Sequence, residues 1–143
     1  MNIKIINFIK KKNKSKIISL TAYSKNIASI IDKHCDLVLV GDSLGSVLYN
    51  FSSTKKVTLD MMIEHSKSVR IGVKKSLMVV DMPHNTYRTS REALRNAKKI
   101  ISKTTENMPA SSKSLESLKI VFLSFIFFPL NLKFDADCGR TPR

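Results

Sequence analysis

Two aspartates stand in equivalent places. Asp42 follows the run Leu37-Val38-Leu39-Val40 across Gly41, and Asp81 follows Ser76-Leu77-Met78-Val79-Val80 directly. Runs that are apolar throughout read as strands buried on both faces, as in a parallel sheet. Both carboxylates then fall at carboxyl ends of parallel strands, the edge where α/β folds bind ligands. On neighbouring strands they could share a hard cation such as Mg²⁺, with water or substrate completing an octahedron. Alternatively, each Asp caps the loop or helix that follows it. The pattern alone leaves both readings open. Gly41 and Gly45 flank Asp42-Ser43-Leu44. Glycines there would let backbone amides approach an anion, and Ser43 could donate to a carboxylate or phosphate. The segment is neither a Walker sequence nor a GxGxxG fingerprint, and a tight turn between strand and helix explains it as well.

Other chemistry-bearing residues point to bland roles. His65 falls on the apolar stripe of a helical pattern, so a hydrogen-bonded, half-buried ring is expected there. His84 lies three residues after Asp81 and could reach the same edge, though an exposed loop position is the simpler expectation. His34 falls at a helix end, where positive charge suits the dipole. No pair of histidines has zinc-ligand spacing. Cys35 and Cys138 make neither a disulfide framework nor a metal knuckle, and Cys35 reads as a small buried hydrophobe. Lys10-Lys11-Lys12, with Lys14 and Lys16, reads as a solvated N-terminal arm, because no aromatic residues are interleaved to stack on bases.

The elements that must position these residues alternate regularly over 16–102. Ile17-Ile18-Ser19-Leu20 is a strand. A helix follows from Ser24, a plausible N-cap, to His34, with Ile27, Ile30 and Ile31 as its apolar stripe. After the strand 37–40, Thr58 can cap a helix to about Gly72, on which Met61, Met62, His65 and Val69 keep helical spacing. Thr89 and Glu92 have capping-box spacing and open a third helix, with Ala93, Leu94, Ala97, Ile100 and Ile101 on its apolar face. The pattern β-α-β-α-β-α predicts an α/β protein, and periodicity does not distinguish a closed barrel from an open sheet. The character changes near Lys103. Thr104 to Ser117 is polar, the apolar run Ile120 to Leu132 follows, and Lys133 to Arg143 shows no recognisable element.

Length and composition bound the answer. The chain of 143 residues suffices for one modest domain, and a complete (β/α)8 barrel needs at least about 200. It is 43% hydrophobic and 25% charged, a globular rather than disordered mixture. Lys plus Arg number 25 against 11 Asp plus Glu, giving +14, which permits polyanionic substrates, nucleic acid or anionic membrane without choosing among them. The apolar run 120–132 contains Ser124, Pro129 and Asn131 and is shorter than the roughly 20 residues of a membrane span. At the N-terminus the charge follows the apolar stretch, the wrong order for a secretory signal. A soluble, cytoplasmic protein is expected.

Thr21-Ala22-Tyr23, Leu39-Val40-Gly41-Asp42-Ser43-Leu44-Gly45, Ser53-Thr54, Val57-Thr58-Leu59-Asp60-Met61, His65, Asp81-Met82-Pro83, Tyr87 and Asn96-Ala97 occur in order. This series resembles the ketopantoate hydroxymethyltransferases over about residues 3–102. The resemblance implies a (β/α)8 TIM barrel of which 1–102 supply the first three βα units, followed by an atypical tail over 103–143. It also implies transfer of a hydroxymethyl group from 5,10-methylenetetrahydrofolate to 3-methyl-2-oxobutanoate through a Mg²⁺-stabilised enolate, on the way to pantothenate and coenzyme A. On the matching positions, Asp42 and Asp81 look like metal carboxylates that also contact the keto acid. Ser43 looks like a donor to the substrate carboxylate. Members form large homo-oligomers, an assembly the sequence neither establishes nor excludes for this chain, and neither nucleic acid nor membrane is an expected partner.

Departures accompany the resemblance. The family's Lys and metal-binding Glu after the next strand have no counterpart, since Lys113 and Glu116 lack the apolar strand and the spacing. Its catalytic base, a later Glu, has none either. Ser24 replaces a usual Asp, and His84-Asn85-Thr86 replaces Phe-Gly-Ser. A frameshift or gene truncation would leave such a change near Lys103, so the chain alone is expected to be weak or inactive. The rival readings are a non-catalytic gene fragment and, less favoured, a basic nucleic-acid-binding module.

Overall fold

A computed structural model describes residues 3–106. Lys113, Glu116, Cys138 and the apolar run 120–132 lie outside the described residues, as does most of the tail. The described elements are α1 (Ile3–Lys10), β1 (Ser19–Thr21), α2 (Lys25–Ile31), β2 (Leu37–Val40), α3 (Leu44–Tyr49), a 3-10 turn (Thr54–Lys56), α4 (Leu59–Gly72), β3 (Leu77–Val80) and α5 (Ser90–Thr105). The chain is mixed α/β. Its three strands form one parallel sheet in the order β1-β2-β3, with Thr21, Leu39 and Val79 in register across it. Among the described residues, no helix is long and apolar enough to cross a membrane.

The three expected strands and the three expected helices all form, the first helix shorter than expected at Lys25–Ile31. Val38, Val40, Met78 and Val80 are buried with Ala28, Met62, Val69 and Ile100 in one core. Each large apolar side chain so buried contributes roughly 1.5–3 kcal/mol. α4 packs against both α2 and α5, so these three helices form one layer. Thr58 caps α4 by accepting from Met61 N–H at 3.2 Å. Thr89 caps α5 by accepting from Glu92 N–H at 3.1 Å, but Glu92 returns its bond to the N–H of Arg88 rather than of Thr89.

Four details differ from the periodic reading. On α2 the core residue is Ala28, while Ile27 and Ile30 are 49% and 64% exposed and Ile31 is half-buried. Gly72 explains why. A Cβ there would lie 2.5 Å from the Lys25 carbonyl oxygen and 2.8 Å from the Ala28 Cβ, so α4 approaches α2 too closely for a large side chain between them. Ser24 occupies the N-cap position of α2 in extended conformation, yet its side chain makes no capping bond. Leu94 is 57% exposed, and Asn96 is buried on α5 instead. The basic arm is not wholly solvated either: α1 precedes it, and Lys11 is ion-paired with Asp36.

One buried carboxylate fixes the connection between units. Asp32, just past α2, is 4% exposed. It accepts from the backbone N–H of Lys74 (3.0 Å), Lys75 (2.9 Å) and Ser76 (2.9 Å) in the loop before β3. Burial alone would raise its pKa, but these N–H groups and the Ser76 hydroxyl outweigh it and hold the carboxyl below its ordinary value. Asp32→Asn should cost about 2–4 kcal/mol in urea unfolding, because donors are left facing an amide. The contribution of a lowered carboxyl is present above its ordinary pKa and lost as pH falls through the folded value. The wild type should therefore lose stability on acidification more steeply than the variant. Gly72→Ala should destabilise by about 1–3 kcal/mol through overpacking, opposite to the gain of about 1 kcal/mol expected at an exposed helical glycine.

Candidate functional site

The carboxyl ends of β2 and β3 bring Asp42 and Asp81 together. Asp81 N–H bonds to the Val40 carbonyl at 3.0 Å, which extends the ladder one residue past β3. The Asp81 carboxylate in turn accepts from the Asp42 backbone N–H. Burial first, and the Asp42 carboxylate second, push the Asp81 carboxyl up to about 6 against that bond. Ser43 joins the pair. A Cβ built on Gly41 would lie 3.0 Å from Ser43 Oγ and 3.4 Å from Asp81 Oδ2, so both polar groups converge over the bare α-carbon of Gly41. Among the described residues, no third His, Cys, Asp or Glu completes a metal-binding group with them.

The glycines act differently from an anion cradle. Gly45 N–H is bonded to the Asp42 carbonyl at 3.0 Å, and Leu44 N–H to the Gly41 carbonyl at 3.1 Å, so these amides close the turn into α3. Gly45 is needed for packing, since a Cβ would meet Val57 Cγ2 at 2.5 Å. Gly41 leaves the space that Ser43 and Asp81 face.

A second layer of polar groups lies behind Ser43. The Tyr23 hydroxyl is 2.7 Å from Ser43 Oγ. His65 on α4 is half-buried, as expected, with Nδ1 2.8 Å from the Tyr23 carbonyl and Nε2 3.0 Å from the Tyr49 hydroxyl. His84 is exposed in the loop after β3, and His34 is exposed beyond α2. In that loop Asn85 has φ 65°, a left-handed conformation that glycine takes freely and asparagine tolerates. The glycine that the resemblance would set at Asn85 suits the same left-handed backbone. Thr86 donates its hydroxyl to the Pro83 carbonyl and accepts Asn96 Nδ2 at its own carbonyl, 2.7 Å away. Sequence reasoning did not single out Asp32, Tyr49 or Asn96 for these tasks. Asp32 gives no periodic or motif signal because its donors are backbone groups more than 40 residues away.

A cleft of about 220 Å³ lies at the opposite edge of the sheet, between Asn7 and Phe8 of α1 and Cys35, Asp36, Ser76 and Leu77. Cys35 is half-buried there, and burial raises its thiol, so it behaves as an inert small hydrophobe. Asp42, Ser43 and Asp81 are all at the other edge.

The raised Asp81 carboxyl predicts a pH effect without any metal. A group whose folded pKa exceeds its unfolded value contributes stability below the unfolded pKa, here 3.8, and loses it as pH rises to about 6. The metal-free chain should therefore be less stable above about pH 6 than near pH 4 on this account, and Asp81→Asn should remove that slope in urea titrations. A slope unchanged in the variant would refute the assignment to Asp81.

A family model described as ketopantoate hydroxymethyltransferase matches residues 2–113. Three curated relatives are each named 3-methyl-2-oxobutanoate hydroxymethyltransferase. The protein from Pelagibacter ubique (strain HTCC1062) is 91% identical over 104 residues, 73% of this chain and 40% of the relative. That from Chelativorans sp. (strain BNC1) is 52% identical over 96 residues, 66% of this chain and 34% of the relative. That from Anaplasma marginale (strain St. Maries) is 49% identical over 104 residues, 73% of this chain and 38% of the relative. The matched region thus spans at most 40% of the length of these relatives. With a family match over most of its residues, this chain belongs to the ketopantoate hydroxymethyltransferase family.

Proposed function

We propose that this chain carries the keto-acid and metal site of a hydroxymethyltransferase. The enzyme would move a one-carbon unit from 5,10-methylenetetrahydrofolate to 3-methyl-2-oxobutanoate, giving ketopantoate for pantothenate and coenzyme A biosynthesis. The observation that carries this reading is the convergence of Ser43 and Asp81 over Gly41, with the Asp42 carboxylate acting on Asp81, in a chain of this family. The described unit is read as the first three βα units of a (β/α)8 barrel. Its sheet order follows chain order, and the crossover helices α2 and α4 share one layer with α5, whereas an open doubly wound sheet places helices on both faces.

The donor set suits Mg²⁺. Two neighbouring carboxylates, one of them pushed up to about 6 by burial first and by the other's charge second, form a hard oxygen site whose repulsion a divalent cation relieves. Asp42 and Asp81 would hold the ion, which when bound supplies a Lewis acid that makes the C3–H of a 2-oxo acid more acidic. Asp81 must be ionised to serve, and Ser43 donates a hydrogen bond to the substrate carboxylate. The group that accepts the C3 proton belongs to a part of the family barrel outside the described residues. The C3 carbon, having lost its proton, would then bond to the folate methylene as one of the methylene's two C–N bonds breaks. Water would supply the hydroxyl oxygen as the second C–N bond breaks, the two nitrogens taking up the C3 proton and one proton of the water to give tetrahydrofolate. The net charge of +14 suits an anionic keto acid and a polyglutamyl folate. A cytoplasmic location is part of the same reading, with no role for nucleic acid or membrane.

Calorimetric titration of the 143-residue chain with 3-methyl-2-oxobutanoate should show Mg²⁺-dependent binding. Asp42→Asn and Asp81→Asn should each weaken it by about tenfold or more. Hydroxymethyl transfer by the chain alone should be weak or absent. Binding indifferent to Mg²⁺ and to both substitutions would overturn the site. Folate-dependent turnover at a rate ordinary for enzymes, about 10 s⁻¹, would overturn the statement about the isolated chain.

A further inference from the structure

We propose that Tyr23 and His65 are positioning residues that aim the Ser43 hydroxyl at the ligand over Gly41, with His65 held as its Nδ1–H tautomer. The inference deepens the reading above, since it rests on Ser43 as the contact to the substrate carboxylate. Its basis is a chain of contacts from three elements. The Tyr23 carbonyl can only accept, so His65 Nδ1, 2.8 Å away, carries the proton. In the neutral ring Nε2 is then an acceptor, and the Tyr49 hydroxyl at 3.0 Å donates to it. Each nitrogen of the ring is committed, so His65 braces the loop between β1 and α2 from a position 42 residues further along the chain.

That loop carries the Tyr23 side chain against Ser43. Tyr23 Oη and Ser43 Oγ are 2.7 Å apart. A phenol is the better donor of the two hydroxyls, so Tyr23 donates and Ser43 accepts. The Ser43 proton is then left to point away from Tyr23, toward the space over Gly41 that Asp81 Oδ2 also faces. Ser43 sits at the N-cap position of α3 without a capping bond, so no backbone group competes for its oxygen. An anion placed over Gly41 meets a hydroxyl whose acceptor side is already occupied and whose donor side is free.

The 143-residue chain serves for the test, with Mg²⁺ and 3-methyl-2-oxobutanoate as the probe. Ser43→Ala and Tyr23→Phe should each weaken keto-acid binding by about fivefold to tenfold, and the double variant no more than either. Additive losses, or a silent Tyr23→Phe beside a damaging Ser43→Ala, would overturn the proposal and leave the Ser43 reading intact. A silent Ser43→Ala would remove that reading, and the positioning role with it. Two measurements need no ligand. At about pH 8, where imidazole is neutral, ring ¹⁵N shifts should show the proton on His65 Nδ1, with Nε2 shifting in Tyr49→Phe. Hα–Hβ couplings should show one Ser43 rotamer, averaged in Tyr23→Phe. A proton on Nε2, or a Ser43 rotamer indifferent to Tyr23→Phe, overturns the proposal whether or not the keto acid binds.

Discussion

The carboxylate of Asp32 gathers three successive backbone N–H groups, of Lys74, Lys75 and Ser76, in a place almost closed to water. Amides of a loop that leads into a buried strand have few other partners, and each left unpaired would cost about 1–3 kcal/mol. The Ser76 hydroxyl completes the junction by donating to the carbonyls of Asp32 and Cys35. The end of α2 and the start of β3 are thereby fastened on either side of β2. From that anchor the register Leu37–Leu77 follows, and three residues later Val40 and Val80 deliver Asp42 and Asp81 to one edge. The geometry at the carboxyl ends of the strands is set by a bond network at their amino ends.

The same sheet thus has two carboxylate arrangements with opposite electrostatics. At the amino ends, Asp32 and Asp36 are both held below the ordinary carboxylate range. Backbone donors, with Lys11 for Asp36, outweigh the burial that opposes them. At the carboxyl ends, Asp81 is pushed up by burial and by Asp42, and its backbone donor does not compensate. Satisfied carboxylates are fold determinants, while an unsatisfied pair stores a demand for positive charge. This contrast separates structure from chemistry among acids of the same type.

Much of this was legible in the sequence where the signal is local. The apolar strands, the Thr58 and Thr89 caps and the placement of Asp42 and Asp81 after strands all follow from runs and spacings of a few residues. His65 also kept its expected half-buried, bonded character. Helix faces were legible only in part. Ile27, Ile30 and Leu94 satisfy helical spacing yet face outward, and for the two isoleucines Gly72 against Ala28 decides which side of α2 can be approached. Helix α3 is too short for periodicity to register, and the docking of Lys11 on Asp36 joins residues far apart in sequence. Asn85 shows the converse. It looks like a departure from the family's glycine until its positive φ identifies what the position requires.

The sheet order is the chain order, and its consequence concerns time rather than energy. Each new strand adds beside the strand made just before it, and each new helix beside the helix already in place. Such neighbour-to-neighbour closure keeps loops short and contact order low for a parallel sheet. On a ribosome delivering about 5–20 residues per second, β1 and β2 can pair before β3 has emerged. The Asp32 junction cannot close until Ser76 is out. Asp32 is then a latch set early and engaged late, so correct pairing of the third strand and the appearance of the two-aspartate edge become the same event.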